Sequence, residues 1–208
     1  WRQPTDRGFP AVCRGWIDLA CWEGSSLVLK SPVDYLSDKE YSALPLRERA
    51  LHEARSQVGQ VEVPKGSNWG PVVRIYLAYV GLTKPAAWCA AFTSWCLRVA
   101  GLPKKGLPTN AASTYYWYTF AKDRGLLKAT PTRGSLFIWN DDGGGHIGFV
   151  VEVLSPTRFR TIEGNTNPGG SREGYGVFER ERSISDLTKH GRRGFIRIDA
   201  LANIGGVF

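Results

Sequence analysis

Methionine is absent from the chain's 208 residues, and histidine and cysteine are scarce, at three and four residues. The three histidines, His52, His146 and His190, stand far apart, and none of the cysteine spacings resembles a pair of metal ligands. That pattern excludes the common zinc modules, and neither a metal nor another cofactor is expected. Long hydrophobic runs are missing as well. A spanning helix needs roughly 18 uninterrupted apolar residues. The apolar stretches here are short and end in glycine, proline or charge, so no transmembrane segment is expected. There is no low-complexity tract, and a composition 42% hydrophobic and 22% charged is that of a folded globular chain. The opening WRQPTDRGFP carries charge and prolines and lacks a secretory pattern. With tryptophan in first position and no methionine anywhere, localisation is not read from that end.

Positive charge is what the chain has in excess: 27 Lys and Arg against 19 Asp and Glu, a formal net charge of +8. A basic surface suits a polyanionic partner, whether nucleic acid, anionic membrane or an acidic wall polymer. The basic residues are scattered, with short clusters only at Lys104-Lys105 and between Lys189 and Arg193. No Arg/Lys-rich helix, finger spacing or aromatic ribonucleoprotein signature accompanies them, so nucleic acid is not the expected partner.

The cysteines stand at 13, 21, 89 and 96. If the run around the last two is helical, they lie about 10.5 Å apart along the axis. A disulfide tolerates Cα separations only up to about 7 Å, so Cys89 and Cys96 are expected to be free. Cys13 and Cys21 sit in an irregular stretch, where a disulfide and two free thiols are both open.

The length suits one domain with a single core and a small extra piece. Residues 1–45 are proline-bearing and without sustained period, and read as an N-terminal extension in which WIDLACW (16–22) is apolar enough to dock. Residues 46–208 read as the main domain. Helical spacing runs from Leu46 through Ala50, Leu51, Ala54 and Val58, and again over 68–82, 88–102 and 110–125, with Asn68 and Asn110 as candidate caps. After Pro131 the period changes to that of strands, over 133–140, 146–154, 158–164, 174–182 and 194–199. Short loops between them favour an antiparallel meander. Helices first and strands second is the α+β arrangement, a helical N-terminal half packed on an antiparallel sheet.

Three places carry chemistry. Cys89 falls in the first turn of the 88–102 helix, where unpaired N–H groups and the positive end of the helix dipole favour an anion. Read alone, a cysteine in an apolar helix is more often a small buried hydrophobe, as Cys96 is on the same helix. His146 opens a strand after three glycines, which permit close approach of backbone to a substrate; alone it is equally a surface histidine. Glu163 ends the following strand, and Asn165 stands two residues on. A histidine base needs its second nitrogen held by an acceptor, which either could supply, although Glu-Gly-Asn also suits a solvated turn.

Taken in order, AAWCAAFTSWCLRVAG, GSLFIW, GGHIGFVVEV and IEGNTN resemble the CHAP family (cysteine, histidine-dependent amidohydrolase/peptidase) of the papain-like and NlpC-type clan. The resemblance covers about residues 47–200, is most specific around Cys89, and leaves the first 45 outside. It implies a papain-like α+β fold, Cys89 as nucleophile, His146 as base, and Glu163 with Asn165 as the orienting group. It also implies hydrolysis of amide bonds in bacterial peptidoglycan, as endopeptidase or N-acetylmuramoyl-L-alanine amidase. Such an enzyme would be a monomer, secreted or phage-associated, acting at the cell wall, with its basic charge holding it on anionic wall polymers. Some members carry an acidic calcium loop before the nucleophile; YVGLTKPAAW, the stretch here, has no Asp or Glu, so calcium is not expected. Trp88, Trp139 and Trp69 are the expected groove-facing aromatics. A secreted peptidase or deamidase acting on protein, and a noncatalytic wall-binding or structural module, are the competing readings.

Overall fold

The computed structural model describes residues 22–23, 26–27, 36–169 and 173–204. The chain divides into two compact units, Trp1–Tyr35 and Leu36–Phe208. In the first, β1 (Trp22–Glu23) and β2 (Ser26–Leu27) pair antiparallel. Cys13, Cys21 and most of the WIDLACW segment lie outside the described residues.

The second unit begins at Leu36, and a short helix not evident from periodicity belongs to it. This helix, α1 (Asp38–Ala43), is closed by a capping box in which Ser37 and Glu40 satisfy each other's backbone N–H. The Tyr41 hydroxyl then donates to Glu53 at 2.5 Å on the next helix, α2 (Leu46–Ser56), whose Arg49 donates to the Ser42 and Leu44 carbonyls. α2 buries Leu46, Ala50, Leu51 and Ala54, the apolar positions of its helical period.

Three further helices follow, each shorter than its periodic stretch: α3 (Pro71–Tyr79), α4 (Cys89–Val99) and α5 (Thr114–Asp123). Neither asparagine caps its helix. Asn68 has φ 53 and α3 starts at Pro71, a residue suited to a first turn where its missing N–H would be unpaired anyway. Ser113 takes the cap position of α5 in place of Asn110.

The strands are β3 (Leu127–Lys128), β4 (Ser135–Asp141), β5 (Gly144–Ser155), β6 (Arg158–Thr166), β7 (Gly176–Ser183) and β8 (Arg192–Arg197). Short helices α6 (Ile184–Thr188) and α7 (Ile198–Ala202) flank β8. All pair antiparallel in the order β3-β8-β4-β5-β6-β7. β4 to β7 form the expected meander. β8 departs from it, returning across the sheet to cover the free edge of β4, with Phe195 opposite Phe137.

Alternation along the strands makes two apolar faces. Leu136, Ile138, Ile147, Phe149, Ile162 and Ile196 join the helices in one core, while Phe137, Val150, Phe159 and Phe195 form a second with Leu187 of α6. The α+β architecture read from the order of periods is the one observed.

α4 lies so close to β6 that a side chain on Gly164 has no room: a Cβ there would sit 2.8 Å from Phe92. Gly164→Ala is expected to lower stability by about 1–3 kcal/mol through overpacking. Thermal or denaturant unfolding measures this, and an unchanged midpoint would refute the close approach.

Candidate active site

The site is assembled where the start of α4 meets the middle of the sheet. Trp88, the residue before the helix, is fully buried. Its ring stacks on Tyr76 at 5.7 Å, and its indole N–H donates to Glu62 at 2.8 Å. Glu62 is itself buried, and its other oxygen accepts the Asn68 N–H at 3.0 Å. Trp88 therefore does not face a groove as expected; it anchors the peptide that presents Cys89. Burying that much apolar ring area, with the one polar atom satisfied, is the arrangement tryptophan favours. Cys89 follows as the first helical residue, 5% exposed, and it and Cys96 are both free thiols.

His146 lies in β5 opposite Trp139 of β4, its ring beside those of Phe137 (5.9 Å) and Trp139 (6.4 Å). It is wholly buried, and its Nε2 meets Glu163 Oε2 at 2.9 Å. Gly148 makes that contact possible, because a Cβ there would be 2.9 Å from Glu163 Cγ and 2.8 Å from Phe137. The other ring nitrogen, Nδ1, is buried without a hydrogen bond of ordinary geometry. Nε2 being occupied by Glu163, Nδ1 is the nitrogen left for Cys89, whose side chain acts on the titration of the ring.

Glu163 is as deeply buried as His146, and two further groups hold it. Thr161 donates to Oε1 at 2.5 Å, and Arg182 of β7 reaches both oxygens, at 2.5 and 2.6 Å. Asn165 is also buried, with φ 56, where the β6–β7 register shifts between Glu163 and Thr166. Sequence reading missed Arg182 and Glu62. Arg182 lies in an alternating FERER run that reads as a solvated face, and it turns inward because it stands opposite the buried Phe159. Glu62 had no local signal beyond being an acid in an apolar context.

A cavity of about 530 Å³ opens beside Cys89, walled by Ala87, Ser113, Thr114 and Tyr115 on one side and Asn140, Asp141, Asp142 and Arg192 on the other. Trp139 and Trp69 do not line it. Trp139 is stacked flat on His190 at 3.8 Å, and Trp69 is half-buried under the Arg74 guanidinium at 5.5 Å. Among the described residues no cluster of His, Cys, Asp and Glu could hold a metal ion, and no helix is long and apolar enough to cross a membrane.

Burial alone would make the His146 imidazolium less stable, but Cys89 and Glu163 outweigh it and raise its pKa to about 9. Burial likewise opposes the Glu163 carboxylate, and Arg182 and His146 overcome it, holding that carboxyl far below its ordinary range. The arrangement offers a thiol at a helix start, a base with one nitrogen fixed and one turned to the thiol, and an open cavity alongside.

Residues 81–165, which contain Cys89, His146, Glu163 and Asn165, match the CHAP domain. No match is found among curated proteins. Among solved structures, Ly7917 is similar at 16% identity and a TM-score of 0.45, over 73% of this chain and 62% of that one. The same protein with the hydrolyzing product of MDP matches at 18% identity and a TM-score of 0.41. An N-acetylmuramoyl-L-alanine amidase from Staphylococcus aureus matches at 18% identity and 0.39, over 54% of this chain. The chain spans 62% of the first of these proteins and 30% of the amidase.

The raised His146 value has a stability consequence of definite sign. Its contribution is complete below its ordinary pKa of 6.5 and is lost as pH rises through about 9. Glu163 acts in the opposite direction, contributing above 4.5 and losing that contribution as pH falls through its lowered value. The melting temperature is expected to fall between about pH 7 and pH 10, and to fall less in His146→Ala. Parallel pH dependences in thermal melts of the two proteins would contradict this.

Proposed function

We propose, with a CHAP domain over residues 81–165 as the premise, that this protein is a cysteine amidohydrolase/peptidase cutting amide bonds of bacterial peptidoglycan. The observation that carries the reading is the line from Cys89 through His146 to Glu163. His146 has one ring nitrogen held at 2.9 Å by Glu163, and Cys89 acts on the same ring.

The Cys89 sulfur, its proton passed to His146 Nδ1, attacks the amide carbonyl carbon and forms a C–S bond. The oxyanion is met by the Cys89 backbone N–H, which has no partner within the helix because it opens α4. His146 returns the proton to the departing nitrogen as the C–N bond breaks, leaving a thioester and a free amine. Water then attacks the thioester, His146 takes its proton, and the C–S bond breaks to release a carboxylic acid and restore Cys89. Glu163 keeps the ring in place throughout, with Asn165 of the same strand as the further orienting group. The peptide enters at the cavity beside Cys89, and the positive net charge holds the enzyme on anionic wall polymers at the bacterial surface. The catalytic residues all belong to the unit Leu36–Phe208.

Incubation with purified peptidoglycan, with mass analysis of what is released, tests the reading and identifies the bond as a peptide or N-acetylmuramoyl-L-alanine linkage. Wild-type protein is expected to release fragments and Cys89→Ala none. His146→Ala should lose about 10²- to 10⁴-fold in rate, and Glu163→Gln less. Release by Cys89→Ala would sink the thiol mechanism, and equal losses in the other two variants would remove the orienting role from Glu163. Failure on walls of several chemotypes, with cleavage of a protein substrate, would move the substrate class instead.

A further inference from the structure

Four hydrogen-bonding groups surround the two Glu163 oxygens, and the closest to both is not the histidine. Arg182 Nε lies 2.5 Å from Oε1 and its Nη2 2.6 Å from Oε2, against 2.9 Å for His146 Nε2. The Arg182 side chain is 12% exposed, and those of Glu163 and His146 are sealed from water. Phe137 of β4 lies under the guanidinium at 5.2 Å, so the charge is held by packing as well as by its carboxylate.

Charge balance in a sealed site decides what this arrangement does. A buried carboxylate needs a counter-ion at all times, because leaving one unpaired is strongly unfavourable. Were His146 the sole partner of Glu163, releasing its proton would leave the buried carboxylate without a counter-ion, which raises the pH at which the ring lets the proton go. A histidine so paired holds its proton to higher pH and is the weaker for it as an exchanger of protons with a thiol or water. Arginine does not deprotonate in proteins. With Arg182 present, Glu163 is neutralised whether or not His146 carries a proton. Glu163 therefore stays paired at every stage as a proton passes between Cys89 and His146.

We propose that Arg182 is the fixed counter-ion of Glu163, a positioning residue that frees His146 to take up and release its proton. The assignment rests on the thiol–imidazole reading of the site given above. The charged and titratable groups facing the cluster come from four elements: Cys89 of α4, His146 of β5, Glu163 of β6 and Arg182 of β7. Asp186 of α6 acts on Arg182 from behind.

Arg182→Gln keeps a donor toward Glu163 and removes the charge; Arg182→Lys keeps the charge and removes the fork. The His146 ring is titrated by NMR in the whole protein, its signal assigned by loss in His146→Ala, alongside the pH profile of peptidoglycan hydrolysis. In Arg182→Gln the His146 titration is expected to move up by about one unit or more, since a neighbouring like charge has been removed. The hydrolysis profile should move with it. Arg182→Lys should titrate close to wild type while losing about tenfold in rate, for want of the bidentate grip. An unmoved titration in a folded Arg182→Gln protein overturns the proposal, as does a lysine variant that shifts as far as the glutamine one. If Arg182→Gln does not fold, Arg182→Met and Arg182→Lys give the same contrast between lost and kept charge. The titration needs no substrate. A shifted ring in a protein inactive on walls would keep Arg182 as counter-ion and refute the proposed function instead.

Discussion

A carboxylate with no access to water is the constraint around which this molecule is arranged. Glu163 sits on the sheet's interior side, where an ion survives only if its lone pairs are met by donors of fixed position. Those donors come from its own strand (Thr161) and from both neighbouring strands, His146 of β5 and Arg182 of β7. The register of three strands is thereby tied to one side chain, and a slip of β5 or β7 by one residue would turn His146 or Arg182 to the opposite face. Gly148 is part of the same requirement, since a Cβ there would press on Glu163 Cγ at 2.9 Å and on the Phe137 ring at 2.8 Å.

A second buried carboxylate, Glu62, does for the helix what Glu163 does for the sheet. It takes the Trp88 indole with one oxygen and the Asn68 backbone with the other. The Tyr76 ring closes over Trp88 from α3, and its hydroxyl donates to Gln57 at 2.7 Å. The residue before Cys89 is thus fixed through ring packing and one charge-assisted hydrogen bond rather than by a side-chain helix cap, which α4 lacks. Helix start and sheet interior are thus each held by a buried acid of its own, Glu62 for one and Glu163 for the other.

The sequence exposed much of this and hid the rest for physical reasons. Period changes located α2 to α5 and the strands β4 to β8, because a residue facing a core must recur at the spacing of its element. Cys89, His146 and Glu163 were legible from position, a thiol at a helix start and two polar residues on consecutive strands. α1 and α6 were not, being too short to show a period, although their capping boxes at Ser37–Glu40 and Ser183–Asp186 are local signals that could have found them. Aromatic residues misled most. Trp88 is placed by a partner far along the chain, and no local pattern distinguishes a tryptophan held by a distant glutamate from one facing a cleft. Arg182 was hidden likewise, since a strand of alternating charges does not say which of them turns inward.

The return of β8 to the edge of β4 sets a schedule on how this molecule comes into being. β4 is made early among the strands of the sheet, yet its second neighbour is the last of them, and Arg192 of that strand pairs with Asn140 of β4 on the same wall of the cavity. During synthesis the helix bearing the thiol and the strand bearing the imidazole emerge well before the segment that closes the cleft beside them. The nascent chain therefore carries Cys89 and His146 for some time before the cavity wall beside Cys89 is complete, and the arrival of β8 supplies its last residue, Arg192.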